Sequence, residues 1–222
     1  MKINDFFQKG YYINLDRRPD RRELFEQEVS GAGLSGFFER HAGVEDMAAA
    51  NVTQAHEPET IKKGLCCGKA FHNVFKKMQS DGVERAIVCE DDMYFLSGGQ
   101  AIIERALDQL QQFPDWDMIY FGGLVIDPEA RQVSENLLRV NTVLTMHAIG
   151  YNKRALDVLL KYKPFIECVY DGWVGERKDL VKYMVYPAAV IQREGTSDID
   201  ASGNSLSNKH WEDSYARIKL IK

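Results

Sequence analysis

The sequence lacks long apolar runs, paired cysteine motifs and an excess of basic residues. No stretch approaches the roughly 18 apolar residues of a membrane-spanning helix, and the segment Met1 to Gln8 has no apolar core, so we expect neither an integral membrane segment nor a signal peptide. The four cysteines contain no C-x-x-C pair, which argues against a zinc site and a disulfide framework. The net charge of −5 argues against a nucleic-acid partner. These absences favour a cytoplasmic protein with reduced, mostly buried cysteines.

The chain is long and apolar enough to fold around a substantial core. Its 222 residues are 45% hydrophobic and 11% aromatic, which suits one large α/β domain. No shift in composition marks a linker. We therefore predict a single domain over residues 1–222, with a polar C-terminal tail from about residue 200.

Apolar patterning predicts strands that alternate with helices. Strands are predicted at Tyr11–Leu15, Phe37–Ala42, the apolar run before Glu90, Met118–Phe121, Met146–Tyr151 and Tyr183–Ile191. Helices are predicted from Pro19 onward and over Leu65–Gln79, Gln100–Gln112 and Lys153–Tyr162. Residues 43–60 read as an irregular segment, and residues 124–144 as hairpins. This order predicts an α/β fold with a mainly parallel central sheet flanked by helices, and with antiparallel additions in the second half.

The most informative motif is a run of three carboxylates, Glu90, Asp91 and Asp92, at the end of an apolar strand. Three like charges repel one another and resist leaving water. Mg²⁺, Mn²⁺ and Ca²⁺ prefer carboxylate oxygens, and ligands of α/β sheets bind beyond the carboxyl ends of the strands. The motif therefore indicates a metal and phosphate site, and a solvated acidic loop is the alternative.

Residues 12–22 read YINLDRRPDRR, and this opening closely resembles the first motif of glycosyltransferase family 25. That family includes lipopolysaccharide galactosyltransferases and the collagen galactosyltransferase domain. Further segments resemble family motifs in the same order: Gly64–His72, Glu90–Asp92 with Phe95, Met118–Gly122, Gly150–Tyr151 with Arg154–Ala155, and Gln192 with Ser197–Ile199. Phe71 departs from the pattern, since family members usually carry a serine there.

The resemblance implies a GT-A-like fold and an inverting transfer of a hexose, with galactose or glucose favoured. The donor would be a UDP-sugar, and the acceptor a hydroxyl of a glycan, a lipopolysaccharide or a protein. Mn²⁺ or Mg²⁺ would be the cofactor, because a metal that bridges two phosphates neutralises the charge of the departing diphosphate.

The metal and donor ligands follow from the motifs and the resemblance together. Asp92 is the expected direct metal ligand, Glu90 helps directly or through water, and His147 supplies a late contact. Because Glu90 and Asp92 alternate in an extended chain, both face one side, and Asp91 points away toward the ribose or a backbone partner. The expected nucleotide-sugar contacts are Asn14, Leu15, Asp16, Arg17, His72, Glu90, Asp91, Ser197 and Asp198.

Several of these residues keep a structural alternative. His72 suits a packed core position on its helix as well as a donor contact. Ser197 and Asp198 could close over the donor or cap a short terminal helix. Arg18, Arg21 and Arg22 could contact phosphate or solvate the first turn of their helix.

The expected catalytic base is Asp171, which lies in the aromatic segment Val169–Trp173. A carboxylate across the sugar from the phosphates can take the proton from the acceptor hydroxyl. Trp173 could stack on a sugar face. Glu176 is the second candidate, and a helix N-cap before Gly172 is the structural alternative for Asp171.

Two other classes of function compete with sugar transfer. Phosphoryl-transfer enzymes also hold Mg²⁺ at strand ends, but the phosphatase type needs an aspartate two positions after Asp16, where this chain has Arg18. A catalytically inactive module that binds a nucleotide-sugar or a glycan is the alternative outside enzymology.

Overall fold

A computed structural model describes residues 1–194, 197–199, 215, 218 and 220. The strands are β1 (Lys9–Asn14), β2 (Phe38–Ala42), β3 (Arg85–Glu90), β4 (Met93–Phe95), β5 (Met118–Tyr120), β6 (Leu124–Val125), β7 (Arg131–Ser134), β8 (Leu137–Val140), β9 (Val143–Leu144), β10 (Ala148–Asn152), β11 (Lys182–Val185) and β12 (Val190–Gln192). The helices are α1 (Ile3–Phe6), α2 (Pro19–Gly31), α3 (Met47–Thr53), α4 (Glu59–Ser80), α5 (Gly99–Leu110), α6 (Lys153–Leu159) and α7 (Tyr170–Gly175).

One eight-stranded sheet organises the molecule, in the order β2-β1-β3-β10-β5-β11-β8-β7. The pairs β1–β2, β1–β3 and β5–β11 are parallel, whereas β10 and β8 run antiparallel to both of their neighbours. Parallel pairs need crossover connections: α2 lies between β1 and β2, α4 lies on the path from β1 to β3, and α6 and α7 lie between β5 and β11. The mainly parallel sheet with antiparallel strands in the second half confirms the predicted α/β class.

Helices cover both faces of the sheet, and alternate residues of the central strands divide between them. On β1, Tyr11 and Ile13 belong to the core under α4, α6 and α7, whereas Tyr12 belongs to the core under α2 and α5. The side chains of β3 divide in the same way. The N-terminal helix α1 lies in the second of these cores, through Ile3 and Phe6.

The carboxyl ends of β1 and β3 meet at one edge of the sheet, because the strands are parallel with Ile13 opposite Glu90. The chain leaves β1 through the turn Leu15–Arg18 and enters α2 at Pro19, which occupies the first helical position. This turn and the first turn of α2, which together carry Arg17, Arg18, Arg21 and Arg22, are here called the arginine-rich turn. This register places the arginine-rich turn beside the acidic turn that follows β3.

Residues 43–60 are more ordered than the sequence indicates. They contain α3, whose N-cap Asp46 accepts a hydrogen bond from the backbone nitrogen of Ala49 at 2.9 Å. Helix α4 begins at Glu59, directly after Pro58, and not at Leu65 as predicted. The prediction was wrong here because this polar first stretch carries no apolar stripe, although proline before a helix is a recognised start signal.

The predicted last strand, Tyr183–Ile191, is two strands. Pro187 lies between β11 and β12 and has no backbone N–H for a ladder hydrogen bond, so pairing stops there. β12 then pairs antiparallel with β4, away from the main sheet. The segment Val169–Trp173 lies at the start of α7: Val169 is the N-cap residue, and the helix begins at Tyr170.

The four cysteines are free; Cys66 and Cys89 are buried, Cys67 is half-buried and Cys168 is exposed. None of the described helices is both long enough and apolar enough to cross a membrane. The polar tail predicted from about residue 200 lies almost entirely outside the described residues, and the single domain over 1–222 stays a prediction.

Candidate active site

The acidic turn lies at the edge of the sheet where β1 and β3 end. Glu90 is the last residue of β3, and Asp91 and Asp92 form the turn that leads into β4. All three carboxylates line one cavity, here called the first cavity. Its other charged or polar lining residues include Arg17, Arg21, Glu45, Lys63, Gln192, Ser197 and Asp198, and Leu15 adds an apolar wall.

Asp91 lines this cavity together with its neighbours and does not point away from it. The alternation prediction was wrong because β3 ends at Glu90 and the chain turns at Asp91 and Asp92, so the period of two does not continue. The turn brings the three carboxylates to one cavity.

Asn14 and Arg21 hold Asp91 from the arginine-rich side. Asn14 Nδ2 donates to Asp91 Oδ2 at 2.7 Å, and Arg21 Nη1 donates to Asp91 Oδ1 at 3.1 Å. Arg40 Nε donates to Asn14 Oδ1 at 2.9 Å, which fixes the orientation of the amide. Burial raises the pKa of Asp91 despite these hydrogen bonds, which favour its charged form.

Three arginine side chains converge on Asp198. Arg17 Nη1 lies 2.7 Å from Asp198 Oδ1, Arg18 Nη1 hydrogen-bonds Asp198 Oδ2, and Arg21 Nη1 lies 3.6 Å from the same oxygen. Burial opposes ionisation of Asp198, but the hydrogen bond from Arg17 and the three positive charges lower its pKa. The arginine-rich turn is thus a cationic cluster that already binds an anionic group.

Glu90 and Asp92 carry more negative charge than their surroundings balance. Cys67 Sγ donates to Glu90 Oε1 at 3.4 Å, and Gln192 Nε2 donates to Glu90 Oε2 at 3.3 Å. Burial and the nearby carboxylates raise the pKa of Glu90, and burial raises that of Asp92 despite the charge of Arg21. Asp92 Oδ1 is buried, and no described group donates a hydrogen bond to it.

Asp171 lies on a second cavity that adjoins the first. The second cavity is lined by Thr60, Ile61, Gly64, Cys67, Phe71, Glu90, Thr145, Met146, Val169, Tyr170, Asp171, Gln192 and Ile199. Asp171 Oδ1 accepts from Gly172 N at 2.8 Å, and Oδ2 lies 3.5 Å from Thr145 N. Thr145 has a φ of 72°, a backbone conformation that is strained for a β-branched residue and is typical of functional sites.

The structure places His147 between the strands and gives both of its ring nitrogens partners. Nδ1 lies 3.2 Å from Thr145 Oγ1, and Nε2 lies 3.2 Å from the carbonyl oxygen of Val190. Burial lowers the pKa of His147 to about 4, so the ring is neutral near pH 7. Among the described residues, no three His, Cys, Asp or Glu side chains are placed to hold a metal ion by themselves. The predicted set of Glu90, Asp92 and His147 is therefore not assembled here.

Five predicted site residues line neither cavity: Asn14 and His147, described above, and Asp16, His72 and Glu176. Asp16 is paired with Arg40 at 2.5 Å and its side chain is 81% exposed. His72 is buried on α4, where its ring contacts that of Tyr162, which matches the structural alternative. Glu176 follows α7 with a side chain 73% exposed, 4.0 Å from Arg177. Only Asp171 of the two candidate bases faces a cavity.

Two residues of the site, Cys67 and Gln192, were not among the predicted ligands. Both contact Glu90, and both line the two cavities. Their only signal in the sequence is their position inside segments that resemble family motifs. Of the arginines with two alternative roles, Arg21 is a direct partner of Asp91, whereas Arg22 pairs with Glu26 on the exposed face of α2.

Residues 7–147 match the family model of glycosyltransferase family 25, described as an LPS biosynthesis protein. The match covers more than half of the chain, so the chain belongs to glycosyltransferase family 25. The observed sheet with its flanking helices agrees with the GT-A-like fold that the resemblance to this family implies.

Individual relatives agree with this assignment. The chain is 22% identical over 244 residues to the human inactive glycosyltransferase 25 family member 3, across 96% of this chain and 41% of that protein. It is 28% identical over 239 residues to procollagen galactosyltransferase 1 of Danio rerio, across 93% of this chain and 40% of that protein. The chain thus spans about two fifths of the length of these relatives.

A solved structure with a similar outline is the mannose-1-phosphate geranyltransferase from Thermus thermophilus. It is 14% identical with a TM-score of 0.43, and the match covers 80% of this chain and 73% of that chain.

Proposed function

We propose that this chain is an inverting, divalent-metal-dependent glycosyltransferase that moves a hexose from a UDP-sugar to a hydroxyl of a glycan, lipopolysaccharide or protein acceptor. The observation that carries the proposal is the first cavity, where the carboxylates of the acidic turn face the guanidinium groups of Arg17 and Arg21. A metal diphosphate needs both kinds of group at once. Galactose is the favoured sugar, since a relative is named a procollagen galactosyltransferase.

The donor set at the acidic turn fits Mg²⁺ or Mn²⁺. Asp92 Oδ1 is buried without a hydrogen-bond donor among the described residues, and Glu90 and Asp92 both have raised pKa values. These are the marks of carboxylates that a cation would stabilise. Asp92 would hold the cation directly and Glu90 directly or through water; a cation there would neutralise charge on the departing diphosphate. Two carboxylates suffice, because Mg²⁺ sites commonly combine one or two of them with substrate phosphates.

The arginine-rich turn supports diphosphate binding from the opposite wall. Arg17, Arg18 and Arg21 hold the carboxylate of Asp198 in the structure. Guanidinium groups that bind a carboxylate also bind phosphate oxygens, with the same paired geometry. We propose that Arg17 and Arg21 bind the diphosphate, while Asn14 keeps Asp91 and the turn in register.

Asp171 is the proposed catalytic base. It faces the second cavity, which meets the first cavity at Glu90, Cys67 and Gln192. Its Oδ1 is held by Gly172 N, and its Oδ2 has only the long contact of 3.5 Å to Thr145 N. An acceptor hydroxyl in the second cavity could donate its proton to Oδ2 as its oxygen attacks the sugar.

A catalytically inactive binding module is the second candidate. One relative is named an inactive family member, and Asp198 occupies the guanidinium groups that would hold phosphate. In such a module the first cavity would bind the nucleotide-sugar without releasing UDP. The cytoplasmic location expected from the sequence stays a prediction.

The test is UDP release from a panel of UDP-sugars in the presence of Mn²⁺. We expect release from one donor that EDTA abolishes and that Asp92→Asn lowers by about 100-fold or more, since the variant removes the buried charge that would hold the cation. The matched control is Asp115→Asn, an exposed aspartate outside both cavities, which should release UDP at the wild-type rate. Metal-dependent UDP binding without release from any donor would support the inactive module.

A further inference from the structure

The second cavity differs from the first in charge, although the two are continuous. It has a volume of about 340 Å³, within the range of small-ligand sites. Its wall includes the carboxylates of Glu90 and Asp171, and none of its described lining residues is Lys, Arg or His. The first cavity, in contrast, carries Arg17, Arg21 and Lys63. An anion in the first cavity can therefore pair with these cations, which lie beside the carboxylates of that cavity, whereas an anion in the second cavity meets carboxylates and no described cation.

The remaining wall of the second cavity is apolar and aromatic. Ile61, Met146 and Val169 line it together with the rings of Phe71 and Tyr170, which stack on each other with centroids 5.4 Å apart. Apolar surface of this kind suits the C–H face of a pyranose ring or another uncharged group. Besides the two carboxylates and Tyr170, the polar side chains on this wall are Thr60, Cys67, Thr145 and Gln192, all of them uncharged types.

From this contrast, and resting on the proposed function, we infer that the second cavity is the acceptor subsite and that it selects an uncharged, hydroxyl-bearing acceptor over an anionic one. In the transfer, the acceptor oxygen forms a bond to the anomeric carbon while the bond from that carbon to the diphosphate oxygen breaks. The bonding electron pair leaves with UDP, and the hydroxyl proton passes to Asp171. A carboxylate or phosphate on the acceptor would face the carboxylate of Asp171, and no Lys, Arg or His on the described wall would compensate the two charges.

The test compares two glycosides that differ in one charge. Binding of methyl β-D-glucopyranoside and methyl β-D-glucopyranosiduronate to the full chain is measured by calorimetry, with UDP and Mg²⁺ present. We expect the uronate to bind roughly tenfold more weakly or worse, because like charges face each other. Thr60→Lys places a cation on the cavity wall and should reduce the difference in affinity between the two glycosides. Gln79→Lys, which adds the same charge at an exposed position near the far end of α4, should leave it unchanged.

Equal or tighter binding of the uronate would overturn the inference. The inference would also be overturned if Thr60→Lys left the preference for the uncharged glycoside unchanged. It would be overturned as well if neither glycoside bound while UDP still did. If UDP itself does not bind, the result contradicts the proposed function and is thereby distinguished from a failure of the acceptor inference alone.

Discussion

Asn14 and Asp91 are joined side chain to side chain, with 2.7 Å between Asn14 Nδ2 and Asp91 Oδ2. The two residues are 77 positions apart, at the ends of neighbouring parallel strands. Arg40 fixes the amide of Asn14 from the other side. This hydrogen bond ties the arginine-rich turn to the acidic turn, so the cationic and anionic halves of the first cavity are held in one register.

Replacing Asn14 by alanine should therefore destabilise the fold as well as the site. Asn14 is 2% exposed, and Asn14→Ala would remove the amide that donates to Asp91 and accepts from Arg40, leaving Asp91 with the longer hydrogen bond from Arg21. We expect a loss of about 1–3 kcal/mol in the free energy of unfolding, measured by urea denaturation. Asn51→Ala, on the exposed face of α3, is the control and should change stability little. Equal stability of the two variants would contradict this role.

A pair of isosteric variants distinguishes the two candidate catalytic bases, Asp171 and Glu176. Asp171→Asn should lower kcat for transfer by about 10²- to 10⁴-fold with little change in the KM for the donor, because it removes only the proton acceptor. Glu176→Gln should keep most of the activity, since Glu176 is 73% exposed and faces neither cavity. Steady-state kinetics with a saturating acceptor decide between them. A severe loss in Glu176→Gln with normal turnover in Asp171→Asn would reverse the assignment.

The buried Lys182 should make the free energy of unfolding depend on pH. It is fully buried and donates to the carbonyl oxygen of Val174 at 2.7 Å, and burial, together with Arg139, lowers its pKa from 10.5 to about 8. Between these two pH values the unfolded chain holds this proton more tightly than the folded chain does. The contribution of Lys182 to stability therefore rises from pH 8 to pH 10.5 and is lower below pH 8.

Lys182→Met removes this titration. The difference in unfolding free energy, wild type minus Lys182→Met, should become more favourable to the wild type as pH rises from 7 to 10. Denaturation of both proteins at these two pH values measures it, with any constant offset assigned to the lost hydrogen bond to Val174. A difference that does not change with pH would show that Lys182 keeps its ordinary pKa.

β12 approaches the backbone at Gly122, just after β5, so closely that a side chain at this position should destabilise the fold. A Cβ at Gly122 would lie 1.9 Å from the carbonyl oxygen of Val190 and 3.3 Å from His147 Nε2. Gly122→Ala should cost about 1–3 kcal/mol or more, because a backbone atom must move. The same shift should move Gln192 away from Glu90 and lower UDP-sugar turnover. Gly31→Ala, where nothing lies within 4 Å of the added Cβ, is the control and should not destabilise the chain.

The sheet could be predicted from the sequence because its central strands are buried on both faces. β1, β3 and β5 appear as short apolar runs between turn signals, and the amphipathic helix α5 shows the period of a half-buried helix. The start of α4 could not be predicted in the same way, because its first turns are polar. The interruption between β11 and β12 had a signal in the sequence, because Pro187 has no backbone N–H to pair in a sheet. The apolar residues on both sides of Pro187 obscured this signal.

The site could be predicted only in part, for a related reason. The acidic and arginine-rich motifs are local, and the parallel register of β1 and β3 brings them together. The contacts of Cys67 and Gln192 with Glu90 join positions 23 and 102 residues away, and nothing in local pattern encodes such a pairing. The period of two ends with β3 at Glu90, so alternation does not predict the side on which Asp91 lies.

The central claim is that the acidic turn binds a metal diphosphate, and UDP binding measured by isothermal titration calorimetry tests it most directly. We predict that UDP binds in the presence of Mg²⁺ or Mn²⁺, and that EDTA or Asp92→Asn weakens binding by roughly tenfold or more. Equal affinity with and without metal, or in wild type and Asp92→Asn, would contradict the claim.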